Sequence, residues 1–232
     1  MKYTNIVDGI FLHRPNRFIA HVEINGQVET VHVKNTGRCK ELLLPQSKVY
    51  LEHSDNPNRK TAYDLIAVEK QGLGLVNIDS LAPNKIAGEW LANLAEGGQG
   101  FDYIKPEYTY GKSRIDFYME KENSQGEREK YLMEVKGCTL ERDGIGYFPD
   151  APTERGIKHL EELAAAVKAG YHTALCFVIT MPKVTQVFAN VETHKAFGEA
   201  MDAAERAGVK IIYLPCKVEK DEVEFIEKQF PF

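Results

Sequence analysis

Residues 130–140, KYLMEVKGCTL, decide the fold of the second half of this chain. The segment has the short apolar run of a buried β-strand, yet Glu134 and Lys136 lie within it. A buried carboxylate or ammonium is costly unless it is paired or bound to a counter-ion. Because side chains alternate along a strand, Glu134 and Lys136 share one face, and Met133 and Val135 share the other. The strand therefore predicts a charged site on one face of a sheet.

The preceding strand carries a matching acid. In SRIDFYME, residues 113–120, Asp116 interrupts an apolar run. If the polar stretch that follows closes a hairpin centred near Gln125, Asp116 lies directly across from Glu134. Two facing carboxylates repel each other unless a cation joins them, so we expect a cation between these strands.

The residue types at this position indicate metal-dependent phosphodiester cleavage. Carboxylates from Asp116 and Glu134, with the backbone carbonyl of Val135, suit Mg²⁺ or Mn²⁺, and Glu89 on the preceding helix is a candidate further ligand. Lys136 would polarise the attacking water or stabilise the pentacovalent phosphate. The candidate catalytic residues are therefore Asp116, Glu134 and Lys136. A structural cross-strand salt bridge is the alternative.

The order of elements places these strands in a mixed sheet flanked by helices. A helix capped by Ser80 or Asn84 precedes them, and a helix over residues 153–168, a strand, a second helix and a last strand follow. This is the core order of the PD-(D/E)xK nuclease-like fold, which we assign to residues 81–232. The charged tail, residues 217–228, is predicted to be a solvated terminal segment.

Residues 1–80 show a different pattern. Short alternating strands are separated by turns, and the Asn25-Gly26 pair between two of them is a two-residue hairpin signal. About five strands with one short helical interruption predict an OB-like β-barrel. We therefore expect a two-domain protein of the α+β or α/β class, with the barrel as the candidate DNA-binding domain.

The charge is unevenly distributed along the chain. The net charge of the 232 residues is −5, but residues 1–48 carry seven Lys or Arg against four Asp or Glu, a local charge of +3. The total argues against a protein that simply coats nucleic acid, whereas the local excess allows a polyanion at one end. Solvated surface charges are the alternative. The candidate DNA contacts are Arg14, Arg17, Lys34, Arg38 and Lys40 in the barrel, and Arg155 and Lys158 in the helix near residue 155.

The cysteines and the apolar runs indicate in which cellular compartment the protein is found. Cys39, Cys138, Cys176 and Cys216 are far apart and form no C-x-x-C pair, which is typical of isolated buried thiols in a reducing cytoplasm. No apolar run approaches the length that spans a bilayer, and the amino end lacks a signal-peptide pattern. We therefore expect a cytoplasmic protein without a membrane partner.

Four segments carry a resemblance to a known family. NTGRCKELLLPQSKVYLE (35–52), SRIDFYME, YLMEVKGCTL and YFPDAPTERGIKHLEEL (147–163) closely resemble the sugar fermentation stimulation protein A family. The resemblance covers nearly the whole chain. It implies a bacterial or archaeal cytoplasmic protein regarded as DNA-binding and linked to regulation of sugar metabolism, maltose in particular.

The same resemblance implies an architecture. It joins an OB-like domain to a PD-(D/E)xK-like domain, and Asp116, Glu134 and Lys136 match the nuclease motif position by position. Cys39 departs from the family, in which a larger apolar residue such as Met is expected.

Three functions follow from these features. The leading interpretation is a DNA-binding protein that regulates sugar metabolism genes and uses the nuclease-like sheet as a second contact. The second is an active Mg²⁺-dependent DNA nuclease, since no residue of the minimal motif is missing. The third is a small-ligand-sensing module with a small-molecule effector and no nucleic-acid role, which the negative net charge permits.

Overall fold

The computed structural model describes residues 1–35, 37–98, 100–226 and 229. The first unit consists of six strands: β1 (Ile6–His13), β2 (Ile19–Ile24), β3 (Gln27–Val33), β4 (Lys48–His53), β5 (Tyr63–Lys70) and β6 (Gly74–Asn77). They pair in the order β3-β2-β1-β4-β5-β6, and β3 also pairs in parallel with β5. This additional pairing closes the first five strands into the predicted OB-like barrel, and β6 extends its edge.

The turns of the barrel follow the sequence signals in one place and depart from them in another. Asn25 and Gly26 join β2 to β3 with φ values of +52° and +78°, the left-handed pair of a two-residue hairpin turn. The expected helical interruption is not a helix among the described residues between β3 and β4. There the amide of Leu43 bonds back to the carbonyl of Cys39 at 2.9 Å, and Pro45, which has no N–H, follows soon after.

The second unit contains a six-stranded mixed sheet. Its elements are α1 (Ala82–Glu96), β7 (Tyr103–Tyr110), β8 (Ser113–Glu122), β9 (Arg128–Cys138), β10 (Leu140–Arg142), β11 (Ile145–Phe148), α2 (Glu154–Lys168), β12 (His172–Ile179), β13 (Val187–Ala189), α3 (Val191–Arg206), β14 (Lys210–Val218) and β15 (Val223–Phe225). The sheet order is β15-β14-β12-β9-β8-β7, with β9, β12 and β14 parallel. α1 packs on one face, and α2 and α3 pack on the other. This is the predicted PD-(D/E)xK nuclease-like arrangement.

The β8–β9 hairpin has the predicted register. Its Cα partners run from Glu122–Arg128 to Phe117–Met133, and every pair is symmetric about residue 125. The ladder ends one residue before Asp116 and Glu134. Beyond that point the Asp116 side chain, rather than the backbone of β8, contacts β9.

Two segments differ from the sequence-based expectation. Between β9 and α2, where the sequence analysis predicts no further strand, the hairpin β10–β11 forms and pairs with β13 in a separate three-stranded sheet. The charged tail is not simply solvated, because β15 pairs with β14 and Val223 is fully buried against the α1 side of the sheet. Residues 227 and 228 of that tail lie outside the described residues.

The amino terminus crosses to the second unit. The Met1 ammonium pairs with Glu89 of α1 at 2.7 Å, and Lys2 forms a β-bridge with Glu222. The buried Tyr3 packs in the α1-side core. These first residues therefore contribute to the core of the second unit. A domain boundary at residue 80 stays a prediction.

Two further expectations concern the cysteines and the helices. All four cysteines are buried and free, as predicted. None of the helices in the described ranges combines the length and the apolarity needed to cross a bilayer.

Candidate functional site

Three charged or polar side chains meet on the α2 face of β9. Glu134 is 2% exposed, and its Oε1 atom accepts a hydrogen bond from Lys136 Nζ at 2.5 Å. His159 Nδ1, on α2, donates to the same oxygen. The other carboxylate oxygen, Oε2, is buried and has no hydrogen-bond partner among the described residues. One oxygen of Glu134 is thus held in place while the other is left unsatisfied.

Asp116 is oriented from two elements. Its Oδ2 atom accepts the backbone N–H of Val135 at 2.7 Å, and its Oδ1 atom accepts Asn84 Nδ2 at 2.7 Å. Asn84 lies in the first turn of α1, whose N-cap is Leu81 rather than Ser80 or Asn84. Because β9 and α1 each supply a donor, the carboxylate is fixed next to the Glu-x-Lys strand.

The two carboxylates have pKa shifts in opposite directions. Burial and the negative charge of Glu134 raise the pKa of Asp116 above its ordinary value of 3.8. Burial also raises the pKa of Glu134, but the hydrogen bond from His159 and the charge of Lys136 outweigh it and leave that pKa below its ordinary value of 4.5. The site therefore holds a carboxylate at Glu134 and disfavours a second negative charge at Asp116.

Lys136 connects this cluster to a cleft between the two units. The cleft has a volume of about 380 Å³ and is lined by Asn84, Val135 and Lys136 of the second unit. Asn35 and Gly37, in the loop after β3, line it from the barrel side. A substrate that reaches Lys136 through this cleft must therefore contact both units.

Two family models match this chain. The SfsA N-terminal OB domain covers residues 12–78, and the sugar fermentation stimulation protein RE domain covers residues 81–222. The chain belongs to the sugar fermentation stimulation protein (SfsA) family. The resemblance recognised in the sequence is thus confirmed.

Relatives in the SfsA family match over almost the full length. The sugar fermentation stimulation protein homolog of Desulfitobacterium hafniense (strain DSM 10664 / DCB-2) is 53% identical over 226 residues, which are 97% of this chain and 95% of that protein. The homolog of Ruminiclostridium cellulolyticum is 50% identical over 231 residues, 99% of this chain and 98% of that protein. The solved structure of Pyrococcus furiosus SfsA in complex with Ca²⁺ superposes with a TM-score of 0.81 at 27% identity, covering 99% and 96% of the two chains.

Of the four predicted metal ligands, the structure brings three residues together. Asp116, Glu134 and Val135 are adjacent, whereas Glu89 is exposed and paired with the Met1 ammonium. Five residues of α-helix separate Asn84 from Glu89, a net rotation of about 140°, so the two side chains point to different sides of α1. Within the described ranges, no group of three or more His, Cys, Asp or Glu is arranged to hold a metal ion. Of the predicted carboxylate ligands in this SfsA-family site, Asp116 and Glu134 are therefore the two that lie together.

Sequence analysis did not identify His159 as a residue of the site. The structure shows it 2% exposed, on a buried stripe with Gly156, Leu163 and Ala166. The spacing of three, four and three residues along that stripe is the signal that could have found it. Arg155 Nε donates to His159 Nε2 at 3.4 Å, which leaves the imidazole proton on Nδ1, where it faces Glu134.

The predicted DNA-binding cations of the barrel divide into two groups. Arg17, Arg38 and Lys40 are exposed and line a groove of about 740 Å³. Arg14 lines the same groove, but its guanidinium is bonded to backbone carbonyls, including that of Gly37 at 2.9 Å. Lys34 is paired with the buried Asp79 at 2.9 Å. Arg14 and Lys34 therefore shape the barrel loops, and the other three present their charge to solvent.

The remaining candidates lie on α2. Thr153 caps this helix by accepting the Gly156 N–H at 3.0 Å. Arg155 is exposed and reaches the site through His159, while Lys158 is exposed and lies 3.8 Å from Glu162. Thr36, between the candidate DNA contacts Lys34 and Arg38, lies outside the described residues. Phosphate contact by Arg155 and Lys158 stays a prediction.

Proposed function

We propose that this protein binds DNA through the exposed cations of the barrel groove and hydrolyses phosphodiester bonds at Asp116, Glu134 and Lys136, with Mg²⁺ or Mn²⁺ as cofactor. The observation that carries the proposal is the buried Glu134 Oε2 atom, which lacks a partner among the described residues. Asp116, on the neighbouring strand, is close enough for the charge of Glu134 to raise its pKa. An unsatisfied buried carboxylate oxygen is costly, and a cation would satisfy it.

The donor set fits a hard divalent cation. Asp116 and Glu134 offer oxygen ligands, and Mg²⁺ typically binds through one or two carboxylates while keeping waters or substrate phosphate as its other ligands. The raised pKa of Asp116, caused by burial and by the charge of Glu134, is the repulsion that a cation would relieve. When bound, the cation would supply Lewis-acid activation of a phosphate oxygen and a more acidic water. The relative from Pyrococcus furiosus was solved in complex with Ca²⁺, also a hard cation that prefers oxygen ligands.

The residues of the chain itself would each take a definite role. Asn84 and the Val135 amide hold Asp116, and His159 holds one oxygen of Glu134. Lys136 lines the cleft, where its ammonium can donate to a phosphate oxygen and stabilise the negative charge that develops during attack. Such positioning before the substrate arrives lowers the reorganisation cost of the reaction.

One observation favours a second candidate, DNA binding without cleavage, in regulation of sugar metabolism genes such as those of maltose. Lys136 already neutralises Glu134 and His159 donates to the same oxygen, which is the arrangement expected of a structural ion pair in a nuclease fold retained for binding. In that case the sheet would supply a second DNA contact and no chemistry.

Incubation with DNA separates the two candidates. Purified protein is mixed with supercoiled plasmid and with oligonucleotides in Mg²⁺, Mn²⁺ or EDTA, alongside Asp116→Asn, Glu134→Gln and the control Glu89→Gln. We expect cleavage with either metal, none in EDTA, and a loss of at least about 100-fold in the two site variants. Glu89→Gln should cleave normally because its carboxylate faces the amino terminus. Binding without cleavage under every condition would favour the regulatory candidate, and cleavage that survives both site variants would overturn the assignment.

A further inference from the structure

The groove on the barrel has a cationic rim and an apolar floor. Its rim carries Arg17, Arg38 and Lys40, and no Asp or Glu is found among the described residues that line it. Its floor is apolar, formed in part by Phe11 and Leu43, which are 2% and 8% exposed. Cations above an apolar floor are complementary to a ligand with negative charge on one side and an apolar face on the other.

A flat ring stands at one end of this groove. His13, the last residue of β1, is exposed and lines the groove, and its ring centroid lies 4.6 Å from that of His21. Close to the groove cation Arg17, the side chain of Phe18 is 47% exposed, and the guanidinium carbon lies 5.0 Å from the phenyl centroid. Exposed planar groups beside cations are the elements with which OB-type domains stack nucleobases.

We infer that this groove binds the unpaired bases of single-stranded DNA and leads the strand into the Lys136 cleft. The inference rests on the proposed function and specifies its substrate: a single-stranded or splayed end rather than an intact duplex.

Two observations support a single strand over a duplex. At about 740 Å³, the groove is of the size that encloses small organic ligands, about 300–1,000 Å³, and so accommodates one or two nucleotides. In an intact duplex the base faces are stacked inside, and the protein meets phosphates and groove edges, so the apolar floor would remain unfilled. An unpaired base covers that floor while its phosphates meet the rim.

The groove adjoins the cleft that Lys136 lines. Gly37 and Ala151 line both spaces, and the amide of Arg38 donates to Asp150 Oδ2 at 3.0 Å across the boundary between the units. A strand whose base occupies the groove therefore lies next to the cleft that Lys136 lines. A Cβ atom at residue 37 would come within 2.6 Å of the Asp150 side chain. Glycine at this position therefore avoids a steric clash between the two units.

The test compares oligonucleotides of equal length, of which the two single strands also have equal charge. Fluorescence anisotropy in EDTA, which prevents cleavage, measures the affinity of the wild-type protein for a labelled single strand, for the same strand with consecutive abasic sites, and for the strand annealed to its complement. We expect the intact single strand to bind on the order of tenfold more tightly than the abasic strand and more tightly than the duplex, because only it can stack its bases.

Two variants test whether the groove causes the preference for intact over abasic strands. His13→Ala should reduce the ratio between intact and abasic strands severalfold while leaving affinity for the abasic strand unchanged, since the imidazole contacts bases and not phosphates. His53→Ala is the matched control, because His53 lies at the end of β4, is paired with Asp55, and does not line the groove. The control should keep the wild-type ratio.

The outcomes separate this inference from the proposed function. Equal binding of intact and abasic strands, or tighter binding of the duplex, would overturn the single-strand inference while leaving metal-dependent cleavage to stand on the plasmid assay. An RNA strand that binds more tightly than the same DNA sequence would overturn DNA as the occupant. Absence of binding to every oligonucleotide would overturn both the inference and the DNA-binding part of the proposed function.

Discussion

The carboxylate site on β9 and the groove on the barrel both concentrate charge, but they do so in different environments. Glu134 is 2% exposed and is touched by Lys136 and His159, whereas Arg17, Arg38 and Lys40 face solvent. Buried charges interact strongly and depend on each other, while exposed charges are screened by salt and act almost independently. Substitutions in the site should therefore have large, coupled effects, and those in the groove small, additive ones.

The largest expected effect comes from Lys136→Met. The change leaves Glu134 buried with only His159 beside it, so the free energy of unfolding should fall by roughly 3–5 kcal/mol and cleavage should be lost. Urea unfolding and the plasmid assay measure the two effects. Lys195→Met is the control, because Lys195 and Glu199 are 82% and 65% exposed and their pair should contribute less than about 0.5 kcal/mol. If both variants lose a similarly small free energy of unfolding, buried and exposed charges contribute equally to stability and the comparison fails.

Metal binding at the carboxylate site should raise the thermal stability of the protein. A cation that binds only the folded protein adds about 2.7 kcal/mol at a concentration 100 times its dissociation constant. Thermal unfolding in Mg²⁺ or Mn²⁺ should therefore shift to higher temperature in the wild type and in Glu89→Gln, and should not shift in Glu134→Gln. A shift that persists in both Glu134→Gln and Asp116→Asn would assign the cation to another part of the molecule.

The raised pKa of Asp116 predicts a stability gain from its removal. A carboxyl whose folded pKa lies above its unfolded value disfavours the folded state at higher pH, and this cost disappears as the pH falls toward the ordinary value of 3.8. Asp116→Asn should therefore be more stable than the wild type at neutral pH without metal, with the difference shrinking on acidification. Denaturant unfolding between pH 7 and pH 4 measures it. A variant that is less stable at pH 7 would show that the hydrogen bonds from Asn84 and Val135 outweigh the repulsion.

The lowered pKa of Glu134 predicts the opposite change, a loss of stability when its carboxylate is removed. A depressed folded pKa stabilises the protein above its ordinary value of 4.5, and that stability is lost as the pH falls through the folded pKa. Glu134→Gln should thus be less stable than the wild type at neutral pH, and the two proteins should converge in acid. The same unfolding series tests both carboxylates.

The smallest effects are expected in the groove. Arg38→Ala and Lys40→Ala should each lower the slope of log binding constant against log salt by about 0.7 for a single strand, since one phosphate contact is removed. Lys34→Ala should leave that slope unchanged, because Lys34 is paired with Asp79. Binding titrations between low and moderate salt measure the slopes. Equal losses in all three variants would show that Lys34 leaves Asp79 to contact DNA.

The sequence by itself determined the local arrangement of the site. Strand alternation placed Glu134 and Lys136 on one face, and the hairpin centred on residue 125 set the register that brings Asp116 beside them. Both follow from the two-residue period of a β-strand and the position of one turn, which are properties of contiguous residues. The Asn25-Gly26 turn was predictable for the same reason.

Only the tertiary structure decided which distant residues complete the site. His159 reaches Glu134 because α2 packs on β9, and Asn84 reaches Asp116 because α1 packs on the opposite face of the sheet. Lys34 pairs with Asp79 instead of facing solvent. These partners are 25, 32 and 45 positions apart, so no local period relates them. Their contacts arise when apolar faces are buried together and each buried polar group must find a partner in the space that packing leaves.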